Sequence, residues 1–321
     1  NFSLRFLNEN GGALNECADR GTAISTKMRR ILIALVAVQL AALIWLFWWG
    51  NDTVPAPLSG VTAQCWQPLH STNQEHVAMM SMTAGLPARF AACVRANRLA
   101  YAKRHGLEYC EFREPLAYTA SFSWQKLIGL KMLLNDGKRS TVWYLDADAF
   151  LANMSISVFD RILARYPHKH AIFTWDYTQL KGVQAGVFLL RNTAWTGSLL
   201  ERWYASWRLV TPNKWYSDRF ALHSWIALNS AEAAGHMAIL PCSAMDSVPL
   251  CSHQADFVYH GATGIHVSAK RKYDDLFARM CAHAKPVRGD PRLSGSLVTF
   301  PRHGHFNSSL RRHRMRLSLM S

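Results

Sequence analysis

The longest apolar run of the chain extends from Ile31 to Trp49 and contains one polar side chain, Gln39, and no charge. As a helix it would be about 28 Å long, close to the hydrocarbon thickness of a bilayer. Helical geometry is required there, because only internal pairing satisfies the backbone polar groups in lipid. Trp45, Trp48 and Trp49 crowd its far end, where indole rings favour the membrane interface. Lys27, Arg29 and Arg30 precede it, and Asn51 and Asp52 follow. This charge asymmetry predicts a cytosolic N-terminus and a luminal remainder. A cleaved signal peptide is the rival reading, with an unusually long apolar region and a poor cleavage flank.

Beyond the run the pattern changes. Asn51 to about Gln74 is rich in Pro, Ser, Thr and Gly without a lasting period, and reads as a stem. Strands and helices then alternate. His76–Met82 predicts a buried strand, and Pro87 opens a helix whose inward stripe is Phe90, Val94, Asn97 and Tyr101, ending at Gly106. Leu107–Phe112 predicts a second strand. Trp124, Leu127, Ile128 and Leu134 mark another helix that ends near Gly137. Thr141–Leu145 is a short apolar run that stops at Asp146. Ala171–Trp175 and Val183–Leu190 predict further buried strands. Trp195, Leu199, Trp203 and Trp207 form one helical stripe, read as core. The expected fold is an α/β sandwich with a mainly parallel sheet flanked by helices.

Composition adds the partners. Thirty-six Lys and Arg against 21 Asp and Glu give a formal charge of +15. The excess is not gathered into an aromatic-laced stripe, which argues against nucleic acid. Its densest cluster is Arg311, Arg312, Arg314 and Arg316 near the C-terminus, read as a solvated tail. Met28 is the first methionine and the expected start of translation, so residues 1–27 carry no functional reading. Cys65, Cys93, Cys110, Cys242, Cys251 and Cys281 form an even set suited to an oxidising compartment, with pairing left open. Asn51, Asn153 and Asn307 each open an N-glycosylation tripeptide.

The candidate chemistry sits in Trp143–Phe150 (WYLDADAF). Two carboxylates at i and i+2 directly after a buried strand do not both belong in a core, where unpaired charge is prohibitively costly. Ligands of open α/β sheets gather at the carboxyl ends of strands. Asp146 and Asp148 are hard oxygen donors suited to Mn²⁺ or Mg²⁺ beside a phosphate.

Four stretches resemble one glycosyltransferase family, that of the fungal α-mannosyl- and α-galactosyltransferases and the plant xyloglucan xylosyltransferases. They are NRLAYAKRHGLEY (Asn97–Tyr109), SWQKLIGLKMLL (Ser123–Leu134), WYLDADAFLAN (Trp143–Asn153) and GVQAGVFLLRN (Gly182–Asn192). The resemblance implies a GT-A (Rossmann-like) fold, a type II Golgi anchor, Mn²⁺ dependence and retention of anomeric configuration. It implies metal binding by Asp146 and Asp148, with Asp146 also reaching ribose or sugar hydroxyls. His260 stands where the resemblance expects a third metal ligand; a hydrogen-bonded structural histidine is the equal alternative. Gly261 and Gly264 would admit the diphosphate, and Lys270 and Lys126 would neutralise it, with solvated surface roles as the alternative for both lysines. Gln184 replaces an expected Asn and would contact the donor sugar. Asp176 and Asp218 have room to bind sugar hydroxyls, or else cap helices and face solvent.

The expected organisation is a cytosolic segment (1–30), an anchor (31–50), a luminal stem (51–74), a GT-A domain (75–285) and a basic tail (286–321). The expected function is metal-dependent transfer of a hexose or pentose from UDP-Gal, UDP-Xyl or GDP-Man to a glycan or polysaccharide. The expected location is the Golgi membrane, single-pass, in association with other Golgi transferases. The alternatives are a transferase of another GT-A family and a non-catalytic, membrane-anchored binding or scaffold protein.

Overall fold

The structure is a computed structural model that describes residues 58, 60–68, 76–117, 122–176, 182–208, 217–246, 257–261, 278–282 and 293–299. All belong to the unit Val54–Ser321. The expected membrane anchor lies outside the described residues. Among the described residues no helix is long and apolar enough to cross a membrane.

The chain runs β1 (Thr62–Pro68), β2 (Val77–Met82), α1 (Ala88–His105), β3 (Glu108–Phe112), α2 (Phe122–Asn135), β4 (Thr141–Leu145), β5 (Ala149–Leu151), α3 (Val158–Arg161) and β6 (Ala171–Asp176). It continues through β7 (Gly182–Val183), β8 (Val187–Arg191), α4 (Ala194–Ala205), α5 (Ser217–Leu228), α6 (Ser230–His236), β9 (Met237–Leu240), β10 (Val258–His260) and β11 (Leu293–Thr299). Among the described residues nine strands form one sheet, ordered β11-β1-β3-β2-β4-β8-β6-β7 with β9 also on β6.

Strand β4 shows why this sequence makes a covered sheet. Val142 and Tyr144 project into a cluster with Trp124, Leu127 and Trp203, on the side of α2, α4 and α5. Trp143 and Leu145 project the other way, toward Tyr101 of α1, Val158 of α3 and Phe257. Both faces of the pleat are apolar, so the run reads as continuous hydrophobe. Helix α1 ends where Gly106 takes φ 66°, and its N–H caps the Ala102 carbonyl. That left-handed position costs glycine little, and Lys103, Arg104 and His105 suit the negative helix end.

Three expectations are corrected. The sheet is mixed: β2 runs parallel to β3 and β4, and β9 to β6, whereas β1–β11, β1–β3, β4–β8, β6–β7 and β6–β8 are antiparallel. Two-sided apolar patterning marks burial and carries no strand direction. Residues 62–68 of the expected stem and 293–299 of the expected tail are sheet strands, paired from Thr62–Thr299 to Pro68–Leu293. Ala63 and Cys65 are buried on the pattern of a strand, too short a period to stand out in a polar stretch. The single strand expected over Val183–Leu190 is broken at Gln184–Gly186, between β7 and β8.

Two disulfides join pairs of described residues. Cys65–Cys110 joins directly opposed positions of β1 and β3, and Cys93–Cys281 ties α1 to the helical segment 278–282. Cys242 is also disulfide-bonded.

Candidate metal centre

Strand β4 carries the chain to the carboxyl edge of the sheet and stops. The Asp146 N–H donates to the Gly186 carbonyl at 2.7 Å, and the Ala149 N–H returns to the Asp146 carbonyl at 3.0 Å. This tight turn presents Asp146 and Asp148 before the chain re-enters β5. Strand β10 lies antiparallel to β5 with His260 opposite Ala149, and the Gly261 N–H donates to the Asp148 carbonyl at 2.9 Å. A residue 112 positions later in sequence is thereby set over the turn. His260 Nε2 is 3.3 Å from Asp148 Oδ1 and 3.9 Å from Asp146 Oδ2. One ligating atom from each of the three residues lies within 4.8 Å of the others.

This donor set fits a divalent cation: two carboxylates supply hard oxygens, and an imidazole suits Mn²⁺ better than Mg²⁺. His260 is buried, whereas the side chains of Asp146 and Asp148 are 33% and 20% exposed. The group therefore has a protein-facing back and an open front. Burial, the opposing Lys126 and the adjacent Asp148 together leave Asp146 raised to about 6. Asp148 is held below the usual range because His260 outweighs its own burial. Burial alone would lower His260, but Asp246 and Asp148 raise it well above an ordinary imidazole. Such opposed shifts in adjacent groups are common at functional sites.

The turn is held from behind by groups that sequence reasoning left without a role. Arg98, on α1, is fully buried and donates to the carbonyls of Asp146 (3.1 Å) and Ala149. It also bonds Asn97 Oδ1 at 2.6 Å and reaches Ser81 Oγ at 3.4 Å, and Ser81 Oγ donates to the Leu145 carbonyl. Asn97 grips both backbone groups of Leu151, at 3.0 and 3.1 Å. Burial lowers Arg98 to about 10, which leaves it cationic beneath two carboxylates at neutral pH. The available signal was the pair Asn97-Arg98 on the apolar stripe of α1, where neither belongs without a polar partner. The Tyr144 hydroxyl bonds Asp146 Oδ1. Gly186 leaves no room for a side chain, since a Cβ there would lie 2.1 Å from His260 Cε1 and 2.8 Å from Asp146 Oδ2. Asp246, unmentioned by any motif, accepts from His260 Nδ1 at 2.9 Å.

The remaining predicted residues divide. Lys126 and Asp218 are not the free groups expected at a diphosphate and a sugar, nor solvated ones. Both are buried and form an ion pair at 2.7 Å, and Lys126 also donates to the Ala185 carbonyl. Helices α2 and α5 bury these positions against each other, so each charge is met inside the protein and not by solvent. Gln184 is buried, its N–H bonded to the Thr174 carbonyl, and its Nε2 has no partner among the described residues. Asp176 ends β6 opposite Gly182. Gly261 adjoins His260 and is buried. Gly264 and Lys270 lie outside the described residues.

Residues 76–174, the segment that bears the two aspartates, match the model of the galactosyl transferase GMA12/MNN10 family. Over 114 residues the chain is 29% identical to xyloglucan 6-xylosyltransferase 1 of Arabidopsis thaliana. Over 115 residues it is 30% identical to probable glycosyltransferase 3 of Oryza sativa subsp. japonica. Each match covers 33% of this chain and 24% of the relative's length. Similar solved structures include a glycosyltransferase involved in the glycosylation of the major capsid of PBCV-1, at 10% identity and a TM-score of 0.49, covering 65% of this chain and 98% of that one. Mouse xyloside xylosyltransferase 1, apo form, gives 11% identity and a TM-score of 0.37, covering 60% and 99%. These two scores are too low to argue from.

Proposed function

We propose that the chain is a metal-dependent GT-A glycosyltransferase that moves a hexose or pentose from a nucleotide-sugar to a glycan or polysaccharide, with retention of configuration. The observation that carries this reading is the convergence of Asp146, Asp148 and His260 within 4.8 Å at the carboxyl edge of the sheet. These residues would hold Mn²⁺, with Mg²⁺ as the second choice. A divalent cation in such a site neutralises the diphosphate of the donor and so improves the leaving group. The work of the chain itself is orientation. Tyr144 and the Gly186 carbonyl fix Asp146, while Arg98 fixes the turn. Gln184 Nε2 is a buried donor with no partner among the described residues, available to a sugar hydroxyl. Leaving such a donor unmet costs about 1–3 kcal/mol, a cost that a bound sugar would remove.

The test is nucleotide-sugar hydrolysis by the purified full chain with Mn²⁺ and a panel of UDP- and GDP-sugars. Release of nucleotide from one donor, abolished by chelation and by Asp148→Ala, is the expected result. Folded protein that binds no nucleotide in the presence of Mn²⁺ would refute the reading in favour of a non-catalytic scaffold.

The proposed location is the Golgi membrane, single-pass, with the catalytic unit luminal and open to association with other Golgi transferases. Its support is the charge-flanked run Ile31–Trp49. Protease protection in sealed microsomes, together with a glycosidase-sensitive mass shift, is the expected outcome. Full digestion without detergent would exclude that topology.

A further inference from the structure

We infer that Asp246 is a positioning residue of the cation site, whose buried carboxylate fixes the ring of His260 so that Nε2 faces Asp146 and Asp148. The inference rests on the metal-dependent reading above. Asp246 is fully buried and follows the 3₁₀ turn Cys242–Ala244. Burying a carboxylate is costly unless it is hydrogen-bonded by groups that need it. Two such groups are present: His260 Nδ1 at 2.9 Å from Oδ1, and Thr174 Oγ1 at 3.3 Å from Oδ2.

The carboxylate is also held still. Its own N–H donates to the Cys242 carbonyl at 2.9 Å. Arg161 reaches across from α3 to the carbonyls of Ala244 (3.0 Å) and Ser243 (3.2 Å). Thr174 is fixed in β6, where it pairs with Leu240 of β9, the strand that leads into the turn. An acceptor locked against Nδ1 keeps the N–H of that nitrogen engaged. Nε2, the atom 3.3 Å from Asp148, is then the nitrogen turned toward a cation. A carboxylate behind a ligating imidazole both orients the ring and makes it a better donor. A merely structural His–Asp pair would give the same contact without any consequence at Nε2, and the two accounts separate by experiment.

Calorimetric titration of the full chain with Mn²⁺ alone is the measurement, for wild type, Asp246→Asn, His260→Ala, the double variant and Asp148→Ala. The side chain of Asn has nearly the shape of Asp but lacks its charge. The expected loss of Mn²⁺ affinity in D246N is about 10- to 100-fold, and D246N should add nothing in the H260A background. A folded D246N that binds Mn²⁺ within about twofold of wild type would overturn the inference, as would additive losses in the double variant. Nitrogen NMR of the wild-type chain labelled in histidine gives a second readout that does not require the variant to fold. In the Zn²⁺-loaded chain the proton of His260 should sit on Nδ1 and the Nε2 signal should be the one that Zn²⁺ shifts; Zn²⁺ on Nδ1, or no shift of either nitrogen, refutes the proposal. If D148A abolishes Mn²⁺ binding while D246N is silent, the positioning role falls and the metal centre stands. If wild type binds no Mn²⁺, both fall together.

Discussion

Lys126 and Asp218 form a buried ion pair, 2.7 Å apart, that ties α2 to α5 directly behind the metal-centre turn. Their side chains are 4% and 5% exposed, and Lys126 also supports Asp146 electrostatically. A buried charge that loses its partner costs about 3–5 kcal/mol, whereas removing both charges is often close to neutral. Lys126→Met is therefore expected to destabilise by that amount in chemical denaturation. Lys126→Met/Asp218→Asn is expected to recover most of it. A double variant as unstable as the single one would show that the pair is not the link between these helices.

Arg98 does a different task with the same kind of charge. Its planar fork spans two backbone carbonyls, Asp146 and Ala149, and a lysine has one point of attachment. Arg98→Lys keeps the cation under the carboxylates but loses one of the two bonds to the turn, a charged hydrogen bond worth about 1.5–3 kcal/mol. The expected result is lower stability together with weaker Mn²⁺ binding, since the turn sets the spacing of Asp146 and Asp148. Stability lost with unchanged Mn²⁺ affinity would place Arg98 in the scaffold alone.

Acid sensitivity is expected from Glu108, at the far end of the same sheet. Arg139 grips both of its oxygens, at 2.6 and 2.7 Å, and His76 lies 3.4 Å away. Burial alone would raise Glu108, but these partners hold it at about 2 against an ordinary 4.5. On acidification the unfolded chain therefore takes up the proton first. The contribution is fully present above the ordinary value and is lost as pH falls from there toward 2, a change of about 3 kcal/mol. Glu108→Gln should be less stable than wild type at neutral pH and should lack this part of the acid slope. Parallel stability–pH curves for the two proteins would contradict the assignment.

These cases also show what the sequence made legible. Thr141–Leu145 and its stop at Asp146 were readable because a doubly covered strand must be apolar throughout and must end where charge begins. Gly106 was readable because a left-handed stop favours glycine. His260 was reached only through a resemblance, since the β5–β10 pairing that brings it to Asp148 joins distant segments. Asp246 gave no local signal: it sits in a short turn, and only the packing of Thr174 and His260 buries it. Lys126 and Asp218 looked like surface charges because each lies on a helix whose partner in the ion pair is a different helix. The strand β1 hid in a polar stretch because its pairing with β11 spans most of the chain.

Gly186 tests the geometry of the centre with a single carbon. Its carbonyl accepts from Asp146, and the space where a side chain would stand is taken by His260 and Asp146. A methyl group there would lie 2.1 Å from His260 Cε1, and neither neighbour has a free direction in which to yield. His260 is held from behind by Asp246, and Asp146 by Tyr144. Overpacking of this kind costs about 1–3 kcal/mol. The larger effect should be on the cation, because a ring pushed aside no longer points Nε2 at the carboxylates. Gly186→Ala is expected to remain folded and to lose at least about tenfold in Mn²⁺ affinity, as other changes that disturb ligand orientation do. Gly197→Ala is the matched control: no atom lies within 4 Å of its added Cβ, and it sits within α4. Alanine there should stabilise the helix by about 0.5–1 kcal/mol and leave Mn²⁺ binding unchanged. Wild-type Mn²⁺ affinity in G186A would mean that His260 moves without consequence, and so that the imidazole is not a ligand.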